Sequence, residues 1–239
     1  PPADYPPPGG RLSPRGTNSA RVFMADSLRG AVRPELATTM DEAHRAIDKV
    51  HRMPEGMQIV GVNSKVISSR AFAEYTTGMA ASAVPFPVIG VRTAHRETTD
   101  SAFSYTHEIG HAIDNHLGAR GDRGHGGDTR FSSNRTHDSH MVALMDAIRS
   151  TPETTTILAA GRGSRAKAFD KYAARPHEIF ARAYSQYIAH KTGHAGMIRA
   201  AQDMRRGPDN NYQWSHESMS KIVPAFDAFF RAHGLLVED

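Results

Sequence analysis

Five residues, His107-Glu108-Ile109-Gly110-His111, constrain this chain more than any other stretch. They read H-E-x-x-H, a spacing that does chemistry only on a helix. There, residues i and i+4 lie one above the other on one face. Two imidazoles so placed can hold one Zn²⁺ from the same side, and the glutamate between them can reach the attacking water as a general base. The fold must therefore build a helix here and bring a third ligand from elsewhere. The flanking residues agree with a helix. Thr98, Thr99 or Asp100 can cap its start, Ile109, Ile113 and Leu117 make a core-facing stripe, and Gly118 offers a stop. Gly110 is the odd residue: glycine inside a helix costs about 1 kcal/mol against alanine. Its place predicts a close approach by another backbone.

Zinc in hydrolytic sites takes three protein ligands and leaves one position for water. The chain has no cysteine, which excludes disulfides, thiol nucleophiles and thiolate-ligated zinc. His116 misses the H-E-x-x-H-x-x-G-x-x-H pattern, which needs glycine at 114 and histidine at 117 where this chain has Asp114 and Leu117. Two sources remain. His125, His137 and His140 lie in or just after a Gly-rich loop. Glu178 falls in the first turn of a helix that Pro176 begins, with Ile179, Phe180, Ala183 and Tyr187 as its buried side. A glutamate there also suits the helix dipole, so the residues alone leave the third ligand open. Asp114 shares a face with both motif histidines, where it can accept from a ligand imidazole and fix its tautomer.

Along the chain, residues 1–20 read as a Pro/Gly-rich arm and 21–239 as a single domain. A helix is expected over 38–52, with Met40, Ala43, Ile47 and Val50 on one side. A strand follows at Met57–Val62, then a short helix around Arg70–Tyr75 and a second strand at Pro87–Val91, where proline suits an edge or a first position. Residues 118–138 form a long polar loop, of the kind that serves as a lid or stays disordered. Helices follow at about 139–150, 164–174, 177–191, 194–205 and 215–232. Mixed elements first and helices afterwards imply an α+β class: a small mixed sheet packed on the motif helix, with a mainly helical C-terminal half.

The motif with its continuation, His107 to Asp114, and the segment Pro176-His177-Glu178-Ile179-Phe180-Ala181-Arg182-Ala183-Tyr184 together resemble the zincin metallopeptidases of the gluzincin type. More closely, they resemble the catalytic domains of anthrax lethal factor-like peptidases and the zincin-like domains of phage and mobile-element polyvalent proteins. Those families carry HE-aromatic/aliphatic-GHA-x-D, then an E-x-F-A-x-A-aromatic helix. The resemblance covers about 107–188, and the longer Gly-rich spacer departs from it. It implies a zincin-like fold, Zn²⁺ on His107, His111 and Glu178, and Glu108 as general base. It also implies that Tyr172 donates to the oxyanion, with His177 as a lesser alternative for that role.

The expected function is that of a zinc-dependent endopeptidase acting on a protein or peptide substrate, whose backbone can pair with an edge strand near Pro87–Val91. One alternative is a catalytically silent zincin-fold component for binding or assembly in a phage or mobile-element particle. The formal charge of +4 and pI near 9.5, with Arg162, Arg165, Lys167, Arg205 and Arg206, raise a nucleic-acid-binding module as another. No recognised motif accompanies those cations, so nucleic acid is not expected as a partner. No run of 18 apolar residues occurs, so no membrane-crossing helix is expected, and no charged-then-apolar leader is read at the start. Compartment and oligomeric state are not determined at this level.

Overall fold

The computed structural model describes residues 34–54, 101–119, 132–134, 138–164, 166–206 and 212–238, with short backbone stretches at 10–11, 24–25, 60–62, 73–76 and 88–91. All of the expected arm except Gly10–Arg11, and most of the Gly-rich loop, lie outside these residues, as do His125 and His137. Eight α-helices are described: α1 (Pro34–Asp48), α2 (Ser101–Ala119), α3 (Ser139–Arg149), α4 (Pro152–Gly161), α5 (Ala168–Ala173), α6 (Pro176–Thr192), α7 (Ala195–Arg206) and α8 (His216–Ala232). A 3₁₀ turn, Ser132–Asn134, precedes α3.

The helices start and stop for local reasons. Asp138 accepts from the backbone N–H groups of His140 and Met141 to open α3, and Thr151 and Ser215 cap α4 and α8 in the same way. Pro152 and Pro176 occupy first-turn positions, where a missing N–H costs nothing. Gly193, at φ 63°, closes α6 in the left-handed conformation.

The core is helix on helix. α2 and α6 pass through its centre. Phe103, Tyr105, Ile109, Ala112 and Ile113 of α2 and nearly all of Ile179–Ala189 of α6 are buried, so neither helix shows the one-sided pattern of a surface helix. Around them α1 contributes Met40, Ala43 and Ile47, and α8 supplies Ile222, Phe226, Phe229 and Phe230. Tyr184 and Tyr187 pack among the α8 rings. An isolated antiparallel bridge between His51 and Leu236 ties the chain after α1 to the segment after α8.

This corrects the α+β expectation. Helices take up 78% of the described residues outside the short strand stretches. Among the described residues the strands are the pair β1 (Gly10–Arg11) and β2 (Met24–Ala25), and β3 (Val60–Val62), β4 (Ala73–Thr76) and β5 (Val88–Val91), in the order β3-β5-β4. Ile89 of β5 joins the core cluster. Strands this short cannot form a layer that carries the fold, so the class is mainly helical. The helix expected around Arg70–Tyr75 is instead β4. β5 is the middle strand, parallel to β3 and antiparallel to β4. Both its edges are paired, so the expected edge for substrate near Pro87–Val91 is not available. The helix expected at 164–174 is the shorter α5, and α4 before it was not expected. The Thr-rich segment of α4, whose β-branched residues carry low helix propensity, conceals it.

Candidate metal centre

His107 and His111 project from the same face of α2, as the four-residue spacing requires. α6 lies across that face and delivers Glu178 from its first turn. His107 is partly buried, while His111 and Glu178 are buried. The two Nε2 atoms are 3.1 Å apart. Glu178 Oε1 lies 3.1 Å from His111 Nε2, and Oε2 lies 3.5 Å from His107 Nε2. Ligand atoms of all three residues fall within 4.8 Å of one another, so the group can hold a metal ion.

The donor chemistry can be tested against zinc. Two zinc–imidazole bonds of about 2.0–2.1 Å at a tetrahedral angle separate their nitrogens by about 3.3 Å, and a carboxylate oxygen stands about as far from each. The 3.1 Å between the nitrogens agrees within a few tenths of an ångström, and each nitrogen has its own Glu178 oxygen at a similar distance, 3.1 Å for His111 and 3.5 Å for His107. Two imidazoles and one carboxylate, with no thiolate, are also a donor set of hydrolytic rather than structural zinc.

Gly110 explains how α6 comes so near. A Cβ there would meet Ala181 Cα at 3.1 Å and Tyr184 Cδ1 at 2.9 Å, so the glycine admits the neighbouring backbone, as expected from the sequence. The crossing point is one residue from His111 and one helical turn from Glu178.

Electrostatics hold Glu178 as a carboxylate. Burial alone would raise its pKa, but hydrogen bonds and charge from His107 and His111 outweigh it and keep the carboxyl well below the usual range. Arg182, one turn further along α6, places its Nη2 3.2 Å from Glu178 Oε2. Burial lowers the Arg182 pKa, opposed first by the charge of Glu178.

Tyr172 lies on α5 and is 42% exposed. Its pKa is raised by burial of the ring's inner part, by the Glu178 charge and hydrogen bond, and by the charge of Glu108. The phenol therefore stays protonated and able to donate at neutral pH. Tyr172 is thus within electrostatic reach of both Glu178 and Glu108. Glu108 is half-buried on α2 beside His107. His177 is buried, with its ring 5.7 Å from that of His111. It flanks a ligand rather than opening to solvent as Tyr172 does.

Asp114 is fully buried, and its carboxylate accepts from Ser133, from the backbone N–H at 2.7 Å and the hydroxyl at 2.6 Å, which ties the 3₁₀ turn to α2. His140 is exposed at the start of α3 and is not in the ligand group. Sequence reasoning missed Arg182, although its i, i+4 spacing from Glu178 was a usable signal.

Among the described residues, no helix is long and apolar enough to cross a membrane. Comparisons of the chain with protein-family models, with curated proteins and with solved structures found no match.

Proposed function

We propose that the chain is a zinc-dependent endopeptidase of zincin type, with His107, His111 and Glu178 as metal ligands, Glu108 as general base and Tyr172 as hydrogen-bond donor. The observation that carries this reading is the convergence of Glu178 on the two motif histidines from a helix roughly 70 residues away. Chance can place H-E-x-x-H on a helix, but it does not supply a buried carboxylate at ligand distance.

Zinc, when bound, polarises the scissile carbonyl and acidifies a water toward neutrality. The residues do the rest. Glu108 takes one proton from the water as its oxygen bonds to the carbonyl carbon. The Tyr172 hydroxyl donates to the carbonyl oxygen as negative charge gathers there. Glu108 then hands its proton to the nitrogen as the C–N bond breaks, leaving an amine and a carboxylic acid, whose remaining proton passes to solvent.

The test is zinc per chain by elemental analysis, beside cleavage of a mixed peptide library. About one zinc is expected in wild type and in Glu108→Gln, with cleavage abolished in the latter, and a large loss of zinc in Glu178→Ala. Persistent cleavage by Glu108→Gln would remove the base, and full zinc in Glu178→Ala would remove the third ligand. One zinc with no turnover on any substrate would favour the silent binding component.

A further inference from the structure

The environment of Arg182 assigns it a role that neither the motif nor the ligand set requires. Its residue is 8% exposed, an unusual place for a guanidinium unless its donors are used. Nη2 donates to Glu178 Oε2 at 3.2 Å, and Nη1 donates to the carbonyl of Ala173 at 3.0 Å. Ala173 is the last residue of α5, so Arg182 satisfies a carbonyl that a helix end leaves without an internal partner. The guanidinium carbon also lies over the ring of Tyr212, 5.8 Å from its centre. Tyr212 in turn donates its hydroxyl to Asp170, again on α5.

One side chain thus joins the third ligand to the short helix that carries Tyr172. α5 has six residues, too few to hold its own position. Its placement depends on neighbours, and two of its contacts run through Arg182 or the ring beneath it. With Oε2 engaged by the guanidinium, the carboxylate cannot rotate freely about its last torsion. We propose that Arg182 is the positioning residue of this site: it orients the Glu178 carboxylate toward His107 and His111, and it fixes the gap between that ligand and Tyr172. This rests on the His-His-Glu reading above. A lysine cannot replace it fully, because one ammonium on a flexible stem does not reproduce a planar fork with two donors at set angles.

The experiment uses the full chain and zinc alone, with affinity read by competition against a chelating dye. Wild type, Arg182→Met, Arg182→Lys and Glu178→Ala are compared, and the urea stability of each metal-free protein is measured beside it. Partners behind a metal ligand typically set 10–100-fold in affinity. Arg182→Met is expected to lose zinc affinity by about that factor, with Arg182→Lys between it and wild type. The visible spectrum of the Co²⁺-substituted protein, which reports ligand geometry, should shift in both variants. A folded Arg182→Met with wild-type affinity and an unchanged cobalt spectrum overturns the proposal. If that variant does not fold, Arg182→Lys decides by the same two readouts. Unchanged zinc binding in Glu178→Ala sinks the ligand reading itself. Loss there with no effect at Arg182 sinks only the positioning role.

Discussion

Replacing Gly110 with alanine tests how tightly the crossing of α2 and α6 governs the site. The new methyl would sit 3.1 Å from Ala181 Cα and 2.9 Å from Tyr184 Cδ1, where carbon atoms settle at about 3.5–4.0 Å. Neither neighbour yields easily. Ala181 Cα is backbone. The Tyr184 ring is fully buried and its hydroxyl is 2.8 Å from His51 Nε2. The helices must therefore part by about 0.5–1 Å. Overpacking of this kind costs about 1–3 kcal/mol, and alanine returns about 1 kcal/mol in helix propensity. The net loss of stability is then about 0–2 kcal/mol. The effect on the ligands is larger in proportion, since metal–ligand distances tolerate only about 0.2 Å. His111 adjoins the inserted methyl, and Glu178 is one turn from the displaced Ala181. A zinc affinity at least tenfold weaker is expected by dye competition, with urea unfolding giving the stability. Gly196→Ala is the control, because there a Cβ meets only the ring atoms of His194, at 3.4 and 3.6 Å. A Gly110→Ala protein that is more stable than wild type and binds zinc equally well would refute the reasoning.

Two further outcomes are expected. Tyr172→Phe should lower kcat by about 10²–10³-fold with KM little changed, in steady-state peptide cleavage; an unaltered kcat would remove the donor role. His51 is fully buried, and burial lowers its pKa from 6.5 to about 4, against a smaller opposing effect from its bond to the Arg52 carbonyl. A histidine held neutral by the fold binds its proton more readily when unfolded, so its contribution to stability is complete above pH 6.5 and is lost as pH falls toward 4. Between pH 7.5 and 4.5 that loss is about 2–3 kcal/mol. It should shrink in His51→Gln, as measured by urea unfolding at both pH values, and an equal loss in the variant would assign it elsewhere.

The site was more legible in the sequence than the fold. H-E-x-x-H encodes its own geometry, because a helix converts four-residue spacing into adjacency. Gly110 could be read as well, since an interior glycine pays a cost that only close packing offsets. Glu178 was ambiguous from its residues alone, because a first-turn glutamate serves the helix dipole equally well, and resemblance made the choice. The architecture was misjudged for a physical reason. Short apolar runs such as Val60–Val62 and Val88–Val91 do form extended backbone, but periodicity cannot say whether such runs build a layer or merely border one. α4 stayed hidden behind its threonines. The contact between Asp114 and Ser133 crosses a loop, and no local pattern marks it. Arg182 went unread because an arginine on a helix ordinarily faces water, and only the tertiary position of α5 shows otherwise.

The three residues that could hold an ion come from two helices distant along the chain, and this has a mechanical consequence. An ion gripped by His111 and Glu178 would close a loop of roughly 70 residues, and a covalent closure of that length restricts the unfolded ensemble by on the order of 4 kcal/mol. In a chain without cysteine, such an ion would serve as a detachable staple. Resistance of the protein to unfolding would then rise and fall with the free metal around it.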